Sequence, residues 1–124
     1  MKFKTYLDIW NIFQSKTDLS LYDNLLKNPD YFRKNKGMDG HVIMMTPEGY
    51  MQICAMIQKI SIQREYDMID DKQVELLLNK VKTGTKMFLP VIDYIAKTQE
   101  GRHRAMVAKK LGLEKMPVLV VKPI

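Results

Sequence analysis

Apolar positions recur at helical spacing from the start of the chain. Phe3, Tyr6, Leu7, Trp10 and Phe13 fall on one face, which predicts an amphipathic helix over 3–14. Tyr22, Leu25 and Leu26 repeat the pattern and predict a second helix over 19–27, broken by Asn28-Pro29. The stretch YFRKNKGMDG at 31–40 has no such period and reads as a basic, glycine-containing link. HVIMM at 41–45 is short and β-permissive, a predicted strand. In TPEGYMQICAMIQKI, Thr46 can cap a helix, Pro47 suits its first position and Glu48 suits its positive end. Tyr50, Ile53, Cys54, Ile57 and Ile60 then recur at helical spacing, and residues 61–69 show no clear period.

A helix over KQVELLLNKVK follows, with Val74, Leu77, Leu78 and Val81 on one face, Asp71 as its candidate cap and Gly84 as its stop. MFLPVIDYI at 87–95 is β-like, and Pro90 within it points to an edge, a bulge or a strand start. A helix over about 102–111 stops at Gly112. MPVLVV at 116–121 is continuously apolar and β-branched, as in a strand buried on both faces. The last forty or so residues therefore predict strand, helix, strand: a βαβ unit with a short crossover. The expected fold class is α/β (α+β), a small mixed sheet with packed helices. Residues 1–40 form a helical N-terminal extension and 41–124 the principal domain, in one compact unit.

Composition adds modest constraints. The chain has 124 residues, 46% of them apolar and 27% charged, enough for one domain with its own core. Its single cysteine, Cys54, excludes an intrachain disulfide and sits on the apolar face of a predicted helix, as core cysteines do. No apolar run reaches membrane-spanning length and the start of the chain lacks a signal-peptide pattern, so a cytoplasmic protein with no membrane partner is expected. The net charge of +6 favours anionic partners. Lys2, Lys4, Arg33, Lys34, Lys36, Lys80, Lys82, Lys86, Lys109 and Lys110 supply charge for phosphate contacts, although scattered cations are more often a solvated surface.

The sharpest chemical signal is Glu100-Gly101-Arg102-His103-Arg104, at the first turn of a helix whose next residues are apolar. A helix N-terminus carries free N–H groups and partial positive charge, and glycine at its mouth lets an anion approach the backbone. Arginines there oppose the helix dipole, at about 0.3–1 kcal/mol each. Phosphate is the natural guest, since guanidinium matches it bidentately. Gly101, Arg102, His103 and Arg104 are the candidate phosphate or nucleotide ligands, although successive helical residues diverge by about 100° and not all can face one point. Glu100 is a candidate base, or with Asp93 a magnesium ligand, and His103 a candidate general acid. The plainer reading is a solvated arginine turn with Glu100 as counter-ion. No HxH, HExxH or clustered-aspartate motif is present, and the metal is left open.

EGRHRAMVAKKLGLEKMPVLVV resembles the ParB/sulfiredoxin fold superfamily, whose glycine-led arginine helix is followed by a Gly-Leu stop and a terminal Pro-Val strand. MTPEGYM at 45–51 is similar to a segment that short ParB-like proteins of phages and mobile elements pair with a GRHRA motif. The resemblance is good over about 75–122, loose over 41–74 and does not reach 1–40. It implies a nucleotide or nucleic-acid phosphate against Gly101, His103 and Arg104, and a nuclease, nucleotide hydrolase or phosphoryl-transfer activity, with Mg2+ a possible cofactor. Position 102 departs from the pattern: ParB has Glu and sulfiredoxin its catalytic Cys where this chain has Arg. Sulfiredoxin chemistry is therefore not expected, and ParB-style nucleotide switching is in doubt. The alternatives are a non-catalytic DNA-binding module and a phage-type regulator docking a protein partner through aromatics such as Phe3, Trp10, Phe13, Tyr22 and Tyr31.

Overall fold

The computed structural model describes residues 6–124. In chain order these form α1 (Tyr6–Ile9), α2 (Ser20–Lys27), α3 (Pro29–Lys36), β1 (Met38–Met45), α4 (Pro47–Gln58), α5 (Ile62–Asp67), α6 (Asp71–Lys82), β2 (Val91–Asp93), β3 (Thr98–Glu100), α7 (Arg102–Lys110) and β4 (Met116–Pro123). The strands make one mixed sheet in the order β1-β4-β2-β3. β4 runs antiparallel to β1, from Met38↔Pro123 to Met45↔Met116, and parallel to β2, from Val91↔Leu119 to Asp93↔Val121. The fold is mixed α/β, and the parallel β2–β4 pair joined through α7 is the expected strand-helix-strand unit, with β3 inserted as an antiparallel hairpin partner of β2.

β4 is buried from Met116 to Val121 because both faces of the sheet are covered. Side chains alternate across a strand. Met116, Val118 and Val120 therefore join the larger core with Phe13, Tyr50, Met51, Cys54, Val74, Ala105, Val107 and Ala108. Leu119 and Val121 enter a second cluster with Tyr22, Leu25, Phe32 and Val91. α2 and α3 thus cover the sheet face opposite α4 and α7. Of the N-terminal aromatics, Phe13 and Tyr22 are buried, Trp10 is partly buried and Tyr31 is exposed, while Phe3 lies outside the described residues, as do Lys2 and Lys4.

Several elements differ from the sequence expectation. Of the helix expected over 3–14, residues 3–5 lie outside the described residues; from 6 onward it is helical over α1, and Phe13 forms a parallel bridge with Met87 instead. The Met87 amide donates to Ile12 O at 2.8 Å and the Gln14 amide to Met87 O at 2.9 Å, so a strand-like partner captures backbone that a short helix holds only weakly. The expected link after Asn28 is largely helix. Asn28 closes α2, Pro29 takes the first position of α3 where its missing N–H costs nothing, and Gly37 ends α3 with φ of 65°. The strand at 41–45 begins three residues earlier, at Met38. The cap of α6 is Asp70, whose Oδ1 accepts from the Lys72 and Gln73 amides, and Asp71 is the first helical residue. The aperiodic 61–69 stretch contains α5, capped by Ser61. The β-like run at 87–95 is strand only over Val91–Asp93, directly after Pro90, whose carbonyl accepts from the Leu119 amide at 2.9 Å.

Candidate functional site at the start of α7

β3 delivers the chain to Gly101, which turns into α7 with φ of 137°. A Cβ here would lie 2.7 Å from Pro90 Cβ and 2.8 Å from Pro90 Cα. Glycine is required by this packing and this backbone angle, whatever approaches from outside. No side chain caps the N-terminus of α7. Its first turn opens into a cleft of about 370 Å³, lined also by Asp18, Gln73, Leu77, Lys80, Thr85, Lys86, Met87 and Phe88.

The three basic residues of the turn diverge, as helical geometry requires. Arg102 points inward. Its Nε and Nη2 donate to Glu65 Oε1 at 3.1 and 2.9 Å, and Gln58 Nε2 donates to Glu65 Oε2 at 3.1 Å. Glu65 is fully buried, so Arg102 balances a carboxylate that would otherwise be stranded in the core. His103 faces α6. Its Nε2 accepts from the Asp70 amide at 3.0 Å, which places the ring proton on Nδ1. Burial, reinforced by Arg102, holds the His103 pKa below its usual value, so the ring is neutral at pH 7.

Arg104 is buried and central. Nη1 donates to Asp18 Oδ1 at 3.2 Å and to Leu89 O at 3.3 Å, and Nη2 pairs with Glu100 Oε2 at the end of β3. Burial works against its charge, and Asp18 beside it works the other way. The structure thus brings Glu100, Gly101, Arg102, His103 and Arg104 to one cleft, with Glu100 and both arginines already engaged by protein groups. Truncating Arg104 would remove bonds that join Asp18, Leu89 and Glu100, so it is not a free ligand as the sequence reading has it.

Asp93 stands apart from this cleft's lining. Its Oδ2 accepts from Tyr22 Oη at 2.5 Å, and its Oδ1 from the Ile95 and Ala96 amides, both at 2.9 Å. It anchors α2 and shapes the turn between β2 and β3, and both its oxygens are engaged by these bonds. Among the described residues no group of three or more His, Cys, Asp or Glu side chains is placed to hold a metal ion. Cys54 is buried, and burial pushes its thiol up to about 12, which leaves it unreactive near neutral pH.

Some of the remaining cations are paired on the surface and two line the cleft. Lys109 and Lys110 pair with Glu48 and Glu75, and Arg33 with Asp30 and Asp39. Lys80 and Lys86 line the cleft, exposed, with no carboxylate within ion-pair distance among the described residues. Sequence reasoning placed them in a scattered set, since their convergence depends on how α6 and the 85–88 segment pack. It missed Asp18 and Glu65 altogether. Among the described residues no helix is long and apolar enough to cross a membrane. Comparison with protein-family models, with curated proteins and with solved structures gives no match for this chain.

Proposed function

We propose that the cleft at the start of α7 binds a phosphate-bearing anion, as part of a nucleotide or a nucleic acid. One observation carries this reading: an uncapped helix N-terminus opens into a cleft lined by two lysines, Lys80 and Lys86, that have no carboxylate partner among the described residues. The amides of the first turn and the Nδ1–H of His103 are hydrogen-bond donors of the kind a phosphate accepts from, and the lysines supply charge. Arg102 contributes indirectly, by fixing the turn against Glu65. The resemblance of the EGRHRA motif to the ParB/sulfiredoxin superfamily favours the same class of ligand.

Binding is favoured over turnover by the state of the two candidate catalysts. Glu100 is tied to Arg104, and His103 spends its Nε2 lone pair on the Asp70 amide, so neither is poised to move a proton. Magnesium fits poorly as a protein-held ion. The cleft's carboxylates, Asp18 and Glu100, both face Arg104, and Asp93 is engaged outside the cleft. A magnesium ion would enter with the phosphates of a ligand.

The test is a thermal-shift series with ATP, ADP, CTP, GTP and short DNA, with and without magnesium, at two salt concentrations. A ligand that binds only the folded state raises Tm. The expected result is a rise with at least one of these, lost in a Lys80→Ala/Lys86→Ala double variant whose ligand-free Tm is unchanged. A shift confined to DNA and erased by salt marks a nucleic-acid surface; one that follows base identity marks a nucleotide pocket. No shift with any ligand, or a full shift in the double variant, rules the reading out.

A further inference from the structure

The two arginines of the turn are held by carboxylates of opposite kinds. Glu65, on Arg102, is wholly buried and also receives Gln58, so it has nowhere to go. The side chains on Arg104 are 43% exposed for Asp18 and 38% for Glu100. A half-solvated carboxylate that swings off a guanidinium is taken up by water at little cost.

Asp18 is also brought to the cleft by a dedicated piece of chain. Residues 12–16 lie against 87–89 through the Met87 amide to Ile12 O, the Gln14 amide to Met87 O and the Leu89 amide to Lys16 O. Thr17 is then fixed by Asp23, whose Oδ1 accepts from the Thr17 amide at 2.6 Å and from Thr17 Oγ1 at 3.0 Å. The backbone up to Thr17 is thus pinned, while the Asp18 side chain reaches into the cleft as one of its lining groups.

We propose that Asp18 is an intramolecular competitor of the anion, occupying on Arg104 the position that a phosphate oxygen takes when Asp18 swings out. The proposal rests on the phosphate reading of the cleft and adds a resident competitor to it. An incoming anion must displace the Asp18 carboxylate from Arg104, and this lowers the apparent affinity of every ligand that needs Arg104 by the same factor.

Titration with inorganic tripolyphosphate, followed by calorimetry at constant pH and salt, tests this. Asp18→Asn, which keeps the size and removes the charge, is expected to bind about three- to tenfold more tightly than the unsubstituted chain, and Asp18→Glu to bind as weakly as it. A phosphodiester probe, a short single-stranded DNA without terminal phosphates, is expected to gain from Asp18→Asn by the same factor. In the unsubstituted chain the Asp18 carboxyl carbon resonance is expected to move on saturation as the carboxylate enters water, a reading that needs no variant. Binding by the unsubstituted chain with no gain in Asp18→Asn, or with a static Asp18 resonance, overturns the competitor role and leaves the phosphate site standing. Loss of binding in both overturns the two together, and binding seen only in Asp18→Asn supports the role in its strongest form.

Discussion

Arg102 and Arg104 are two places apart and do different work, and the difference lies in their partners. Arg102 neutralises a fully buried Glu65, and removing one member of such a pair leaves the other as an uncompensated charge in the core. Arg102→Ala is expected to cost about 3 kcal/mol in urea unfolding, while Arg102→Met combined with Glu65→Met recovers most of it. If Arg102→Ala is silent, the pair is not a buried one. The arginines themselves were legible in the sequence, as was the glycine ahead of them. Their partners were not: Glu65 and Asp18 lie 37 and 86 residues away, and a carboxylate at that distance leaves no local trace. Gly101 was read as an opening for an anion, and its reason in the structure is the close approach of Pro90.

At the scale of elements, the start of α7 is held to the start of α6 by the ring of His103 receiving the Asp70 amide, which only a neutral Nε2 can do. The pKa of His103 is lowered on folding, so the unfolded chain binds the extra proton first and stability rises with pH. The contribution is complete above the unfolded value of about 6.5 and is lost as the pH falls through the lowered folded value. Tm is therefore expected to drop between pH 7 and pH 5, and by less in His103→Gln, whose amide oxygen also accepts from Asp70 without titrating. Equal slopes for the two proteins would remove His103 from the junction. Elements of eight residues or more with a clear period, namely α2, α4, α6, α7 and β4, were readable from the chain. α5 and β3 were not, because six and three residues are too few to show a period. α3 was hidden by Pro29, which was read as a break and is a helix start.

Across the whole molecule, the segment that precedes β1 is part of the core. Ile9, Ile12 and Phe13 enter the larger cluster, and Tyr22, Leu25 and Phe32 make much of the smaller one. Deleting residues 1–36 bares Leu119, Val121 and Val91 and strips Asp93 of its Tyr22 donor. The truncated chain is expected to show no cooperative melting by circular dichroism and to expose dye-binding apolar surface. A sharp melt would show that the remaining residues fold without this cover. The sequence pattern located α2 but could not say which face of the sheet it covers, since that depends on the alternation of β4, buried on both sides.

The central place of β4 also governs when the molecule can form. β1 has no partner until a strand more than seventy residues downstream arrives, and β2 pairs with that same strand. While the ribosome still shelters residues 116–123, β1 and the β2–β3 hairpin have no strand to join them and α2 has no sheet to lie on. Loop closure over such a span is slow, and the apolar strands must wait uncovered. During synthesis the nascent chain therefore passes through a window in which β1 lacks its backbone partner and presents an open strand edge, and the window closes when β4 slots between β1 and β2.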